Sequence, residues 1–224
     1  LVVTTGALDD GAALDMRLGE ASATLTIDEV DDAPGTGIEA VVDAGSMTNA
    51  DATLTLDGDG EVNVDALARD VDASALTGDL DVDSATDATL TVTAGTGPTE
   101  VTSTGSGADL TVDAGLIAAD GNAGDTITYE LVADGSGDVT VNSLAADLDA
   151  SALAGELDVT TATDAVVDIL AGSDNATIEA LGSDADVTVS AAQMGSFVRL
   201  TAHGSGDVTA NEVGSGVIVD GNGN

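Results

Sequence analysis

Short runs in which apolar and polar residues alternate recur along the chain. Thr89-Leu-Thr-Val-Thr93 and Asp186-Val-Thr-Val-Ser190 show the period of two expected of a strand with one buried face. Gly/Asp-rich turns separate such runs. Runs begin near Glu61, Leu80, Thr89, Glu100, Asp109, Thr126, Asp138, Leu157, Val166, Ala176, Asp186, Phe197, Asp207 and Gly216. Most steps are about ten residues, and wider steps are filled by stretches of the type Asp72-Ala-Ser-Ala-Leu-Thr-Gly78. Towards the N-terminus the pattern loosens. Ala23 to Ile27 and Ile38 to Val42 read as strands, and Pro34-Gly35 as a loop. Ala7 to Leu25 can also be scored as a short helix around Leu14, Met16 and Leu18. Gly11 and Gly19 interrupt that helix at about 1 kcal/mol each relative to Ala. Residues 1–50 are therefore expected to form an irregular N-terminal β segment. Residues 51–224 are expected to form a regular repeat region that continues beyond the chain ends.

A longer repeat contains these runs. Residues 57–88, DGDGEVNVDALARDVDASALTGDLDVDSATDA, return as residues 134–165, DGSGDVTVNSLAADLDASALAGELDVTTATDA. Val62 maps onto Val139, Leu67 onto Leu144, Leu76 onto Leu153 and Val82 onto Val159 without a gap. Short strands at this spacing fit a sandwich, a barrel or a solenoid. Sandwich cores lean on large aromatics, and this chain has one Tyr, one Phe and no Trp. Similar Gly-Ser-Gly turns at 105–107, 135–137 and 204–206, and a predominance of small residues, favour stacked narrow sheets. The expected fold is all-β: a β-solenoid of the β-helix or β-roll kind, with two short strands per coil of about 20 residues. Tandem β-sandwich domains are the alternative.

Composition narrows the function. The chain has 224 residues, 42 acidic against three basic, and a formal charge of -39. Of the acids 33 are Asp and nine Glu, and there is no Lys. Nucleic acid is excluded as a direct partner, because neutralising phosphates requires Lys and Arg. No apolar run reaches the roughly 18 residues of a membrane-spanning helix, so no membrane insertion is expected. The absence of Cys removes disulfides, thiolate zinc sites and cysteine nucleophiles. With 43% hydrophobic residues the chain is too apolar for charge-driven disorder. The three Arg residues are expected to be buried-edge or interface ion-pair partners, each surrounded by acid.

The acids concentrate in turns. Asp57-Gly-Asp-Gly-Glu61 alternates three carboxylates (Asp57, Asp59, Glu61) with Gly. Asp120-Gly-Asn-Ala-Gly-Asp125 offers Asp120, Asn122 and Asp125, Asp134 and Asp138 bracket Gly-Ser-Gly, and Asp220-Gly-Asn222 has the same character. Such loops supply the many oxygens that calcium (Ca2+), a hard cation, requires. Asp, Asn and Gly are equally the residues of plain turns, since they accept positive φ and form Asx-turns. Catalysis finds little support. His203 is the single His, no G-x-S-x-G elbow is present, and close carboxylate pairs arise by chance among so many acids.

Several stretches resemble degenerate forms of the Gly/Asp nonapeptide of RTX β-roll proteins: Gly135-Ser-Gly-Asp-Val-Thr-Val141, Gly204-Ser-Gly-Asp-Val-Thr-Ala210 and Gly172-Ser-Asp-Asn-Ala-Thr-Ile178. The element Asp72-Ala-Ser-Ala-Leu76 before Leu80-Asp-Val82, repeated as Asp149-Ala-Ser-Ala-Leu153 before Leu157-Asp-Val159, is similar to elements of bacterial surface-layer proteins built from calcium-dependent β-solenoids. The resemblance spans roughly residues 50–220. It implies calcium ligation by Asp138 and Asp207 and, with less of the motif retained, by Asp174, Asp184 and Asp186. No full nonapeptide occurs, so a few loop sites are expected in place of a regular ion ladder. The expected role is a non-enzymatic structural protein, extracellular or at a cell surface. It would assemble with copies of itself into a surface layer, sheath or filament, with cell-surface polysaccharide as a further partner. A spacer segment of a secreted RTX-like adhesin is the alternative.

Overall fold

The computed structural model of the chain describes residues 1–5, 13–27, 39–117, 130–195, 199–213 and 218–222. It is all-β. The first seven strands are β1 (Val2–Thr5), β2 (Ala13–Arg17), β3 (Ala23–Ile27), β4 (Glu39–Asp43), β5 (Leu54–Gly58), β6 (Glu61–Leu67) and β7 (Val71–Leu76). The next seven are β8 (Leu80–Ser84), β9 (Thr89–Thr93), β10 (Thr99–Ser103), β11 (Asp109–Asp113), β12 (Leu131–Gly135), β13 (Asp138–Leu144) and β14 (Leu148–Asp149). The last are β15 (Leu157–Thr161), β16 (Val166–Leu170), β17 (Ala176–Ala180), β18 (Asp186–Ser190), β19 (Arg199–Gly204), β20 (Asp207–Asn211) and β21 (Ile218–Asn222).

Among the described residues, odd-numbered strands form one sheet of 11 and even-numbered strands a second sheet of 10. The pairings are parallel, each strand lying on the strand two before it, for example Leu110 on Leu90 and Val139 on Leu110. Two strands therefore make one coil of a β-solenoid, about 21 residues long. Tandem sandwiches, built from antiparallel hairpins and Greek keys, are ruled out by this pairing.

Alternation explains which face is inside. Leu90 and Val92, Leu110 and Val112, and Val187 and Val189 point into the gap between the sheets, while the Thr, Asp and Ser residues of these three strands point outwards. The core is a thin layer of Leu, Val, Ile and Ala, with Met47 and Met194 at corners. Corners close by short turns in which a buried residue donates its N–H to the carbonyl three residues back: Met47 to Ala44, Ile117 to Ala114 and Met194 to Ala191.

Ala13–Arg17, around Leu14 and Met16, is a strand, β2, paired with β4, and not the helix that Gly11 and Gly19 already counted against. One sequence expectation is corrected. The Asp72-Ala-Ser-Ala-Leu76 stretch is not a filler between strands, because Val71–Leu76 is itself strand β7. Its second copy contributes the two-residue strand β14. Strands β5 and β12 are likewise additions to the expected list. The starts expected near Thr126, Phe197 and Gly216 lie outside the described residues. Strands β1 to β4, from the less regular N-terminal stretch, join the same two sheets.

The long repeat has a structural meaning that a linear reading cannot give. The first copy starts its bulged strand in the even sheet (β6) and the second in the odd sheet (β13). The repeat unit is thus seven strands, three and a half coils, and each unit reproduces the last on the opposite face. A third copy follows: Leu200–Val213, LTAHGSGDVTANEV, matches Leu54–Leu67, LTLDGDGEVNVDAL, and Leu131–Leu144, LVADGSGDVTVNSL. Backbone conformation agrees. Gly58, Gly135 and Gly204 have φ of 113°, 109° and 115°, and Ala66, Ser143 and Glu212 have 53°, 58° and 51°. At the three glycines a Cβ would fall about 2 Å from the carbonyl oxygen of Ile27 (2.0 Å), Ser103 (2.1 Å) and Ala180 (2.1 Å) in the preceding coil, so no side chain fits. The 21 strands among the described residues form three successive sets, β1–β7, β8–β14 and β15–β21. They open with the matching segments Leu1-Val-Val-Thr-Thr5, Leu80-Asp-Val-Asp-Ser84 and Leu157-Asp-Val-Thr-Thr161.

Candidate cation site on the acidic ladders

The seven-strand repeat places acids of successive coils in register. Glu39 pairs with Glu61. One coil on, Asp79 stands against Glu61, its carbonyl accepting the Val62 N–H at 2.9 Å. Seven strands later Asp109 pairs with Asp138, and Glu156 follows. A further seven strands on, Asp186 pairs with Asp207. Parallel strands lie about 4.8 Å apart, so the carboxylates of Glu61 with Asp79, of Asp109, Asp138 and Glu156, and of Asp186 with Asp207 form short columns at the strand entrances. The expected ligands Glu61, Asp138 and Asp207 occupy the same rung of the three columns. Neighbouring rungs such as Asp79, Asp109 and Glu156 were not singled out from sequence. Their signal is nevertheless present: each acid directly precedes the first inward aliphatic residue of its strand, as in Asp79-Leu80, Asp109-Leu110 and Glu156-Leu157.

Beside the first column a groove of about 200 Å³ opens on the even sheet, lined by Glu61, Asp79, Asp81, Glu100 and Glu130, with Leu80, Pro98, Thr99 and Val132. Burial, with Glu100, Asp83, Asp65 and Glu61 adding like charge, pushes the Asp81 carboxyl up from 3.8 to about 6. Glu130 is 8% exposed, and its Oε2 accepts the Asp147 N–H at 3.1 Å. Elsewhere burial and then Asp149 raise Asp134. Burial, then Asp158, Asp138 and Asp174, raise Glu156. Crowded, partly desolvated carboxylates are what favours a proton or a cation here.

Other expected ligands are dispersed. Asp57 is exposed on the outer face of the odd sheet, whereas Glu61 faces outwards from the even sheet, and Asp59 sits in the corner between them. Those three therefore do not converge. Asp120, Asn122 and Asp125 lie outside the described residues, as do the side chains of Asp220 and Asn222 on β21. Among the described residues, no group of three or more His, Asp or Glu side chains is drawn together closely enough to hold a metal ion.

Many carboxylates instead extend the backbone ladder. Asp70 Oδ1 accepts the Thr91 N–H (2.8 Å), and Asp147 Oδ1 accepts that of Asp168 (2.8 Å). Asp87 Oδ1 accepts from Gly107 (2.9 Å), and Asp164 Oδ1 from Asp184 (3.1 Å). These are two pairs of equivalent positions, each bonding one coil to the next. Asp138 does the same, accepting from the Glu156 N–H at 2.9 Å. Asp87 and Asp164 also adopt positive φ, 55° and 59°, a conformation Asp tolerates.

The cationic side chains divide. Arg17 pairs with Asp43 at 3.4 Å. Arg69 departs from the expected ion-pair role and directs its guanidinium to the carbonyls of Thr48, Asn49 and Ala68 at 2.8–2.9 Å, closing the corner before β5. His203, on β19, stands 3.9 Å from Glu179. No helix among the described residues is long and apolar enough to cross a membrane. No protein-family model, curated protein or solved structure matches this chain.

Proposed function

We propose that the chain is a non-enzymatic structural protein of a cell exterior, a stiff solenoid whose acidic ladders bind calcium and which assembles with copies of itself into a layer, sheath or filament. The observation that carries this reading is the recurrence of the carboxylate column in all three seven-strand sets. A surface evolved only for solubility has no need to place acids on adjacent rungs, where like charges directly opposite each other are destabilising. Oxygen-only donors suit a hard divalent ion. A body of charge -39 is destabilised by self-repulsion, which divalent ions relieve. Cell-surface polysaccharide is a partner compatible with calcium bridging. The N–H···carboxylate bonds of Asp70, Asp87, Asp147 and Asp164 favour a second reading, in which the acids serve backbone geometry and the chain is a salt-adapted spacer of a secreted adhesin.

Thermal unfolding with light scattering separates the two. It is run in calcium, in magnesium and in EDTA with sodium chloride at matched ionic strength. Stabilisation by low-millimolar calcium alone, with growth of large particles, is expected. Equal stability in all three, with no particles, sinks the calcium mechanism and leaves the spacer.

A further inference from the structure

The entrance to β17 differs in chemistry from the rungs before it. On the odd sheet Leu110, Val139 and Leu157 pair in turn, and the residues directly before them are the acids Asp109, Asp138 and Glu156. Ala176 pairs with Leu157 and Leu200 with Ala176, so the next two rungs are Asn175 and Arg199. The acidic column of this sheet therefore ends on a neutral amide.

The fold uses one end of that amide. Asn175 Oδ1 accepts the Arg199 N–H at 2.8 Å, tying the entrance of β17 to that of β19. A main-chain N–H can only donate, so the side-chain atom facing it is the oxygen and Nδ2 lies on the other branch. The main chain of Asn175 is engaged as well: its carbonyl accepts the Leu157 N–H at 3.0 Å, and its N–H donates to Asp174 Oδ1 at 2.7 Å. Asn175 is half-buried, and no described residue accepts a hydrogen bond from its Nδ2. Two residues on, Thr177 stands on the outward face of β17, between Asp158 and Thr201 of the neighbouring strands. Residues two apart on an extended chain face the same side, so the Asn175 amide and the Thr177 hydroxyl share one surface.

Asn175-Ala-Thr177 has the Asn-x-Thr pattern of an N-glycan acceptor, which belongs on the surface of an exported chain. The other described Asn residues lack the hydroxyl: Asn49 is followed two on by Asp51, Asn63 by Asp65, Asn142 by Leu144 and Asn211 by Val213. Resting on the reading that the chain lies at a cell exterior, we propose that Asn175 is a glycosylation site, its Nδ2 taking a sugar from a glycosyl diphosphate donor. The Nδ2–C1 bond forms as the C1–O bond to the diphosphate breaks. The diphosphate leaves with the bonding pair, and one Nδ2 proton passes to a base. Nothing is oxidised or reduced, and the side chain remains a neutral amide. Its oxygen keeps the bond to the Arg199 N–H, so modification leaves the contact between coils in place. A copy packed into a layer or filament must then leave the corner before β17 open to solvent.

The test is peptide mass spectrometry of the chain purified from its own source, digested at acidic residues, with cell fractionation run alongside. A sugar mass localised to Asn175 is expected. Asn175→Asp keeps an acceptor for the Arg199 N–H and lacks the nitrogen, so the increment should be lost completely. Thr177→Ala leaves the amide untouched and should lose it too, whereas Thr177→Ser should retain it. Unfolding temperatures check that each variant is folded. A bare Asn175 on a chain found at the cell exterior would overturn the site and leave the exterior reading standing. A bare Asn175 on a chain found inside the cell would overturn both. A sugar that survives Thr177→Ala, or that sits on Ser or Thr hydroxyls instead, would overturn the assignment of this acceptor.

Discussion

A single Asp in this chain can serve either the backbone or the charge pattern, and the two roles separate under substitution. Asp164 holds a positive φ and accepts a hydrogen bond from the next coil through one oxygen. Asn preserves both features and removes a charge. Asp164→Asn should therefore leave the unfolding temperature in low salt unchanged or higher, with the response to calcium intact. Asp164→Ala should cost about 1–2 kcal/mol, from the orphaned Asp184 N–H and the strained backbone. Glu61→Gln and Asp138→Asn remove charge from the ladder itself, although Asp138 also accepts the Glu156 N–H, a bond that Asn preserves. They should reduce stabilisation by calcium, measured as the shift in unfolding temperature per tenfold in calcium. A calcium response that survives both substitutions would remove the ladders from the mechanism. Glycine at position 135 is a third case. A Cβ there would fall 2.1 Å from the Ser103 carbonyl oxygen, so Gly135→Ala should destabilise by about 2 kcal/mol or more, read by denaturant unfolding.

At the scale of the element, alternation made most strands legible, and for a physical reason. One face of each strand meets a thin aliphatic core and the other meets water, so period two survives in Thr89–Thr93 and Asp186–Ser190. It failed where the face pattern is broken. Val71–Leu76 carries a register shift against β5, so its inward residues are Val71, Ala73 and Leu76, a spacing that no longer alternates. Leu14 and Met16 alternate correctly, but the stretch around them can also be scored as a short helix, which Gly11 and Gly19 interrupt. The candidate ladders were half legible. Glu61, Asp138 and Asp207 stood out beside Gly-rich turns, whereas Asp79 and Asp109 acquire meaning from pairing alone. The corner residues test the element-level account. Ile117 is 3% exposed and closes the corner after β11. Ile117→Ala should cost about 2–4 kcal/mol by denaturant unfolding. A loss below about 1 kcal/mol would mean that the corner collapses without strain and that backbone pairing, not corner packing, holds the coils in register.

For the molecule as a whole, proton and cation compete for the same carboxylates. Asp81 is raised from 3.8 to about 6, and Asp134 and Glu156 shift in the same direction. A carboxyl whose affinity for protons is higher in the folded state is a liability when ionised. Between about pH 4 and 6 the folded chain holds more protons than the unfolded chain, so stability rises as pH falls through this window. It levels off once both states are protonated. The groups are partly solvated, so screening reduces the effect of Asp81 to on the order of 1 kcal/mol, or about 2–4 °C in unfolding temperature for a chain of this size. The expected profile is therefore inverted relative to proteins held together by ionised carboxylates: more stable at pH 5 than at pH 7.5 in low salt. Asp81→Asn should raise stability at pH 7.5 and flatten part of the rise. Calcium neutralises the same charge without protons, so in saturating calcium the gain on acidification should shrink. Calcium binding below about pH 6 should release protons, measurable by calorimetry in buffers of different ionisation enthalpy. An acid gain of equal size with and without calcium would show that the ion and the raised carboxyls occupy different parts of the surface. In that case the groove around Asp81 answers to pH alone, and the other ladders would have to carry the calcium response.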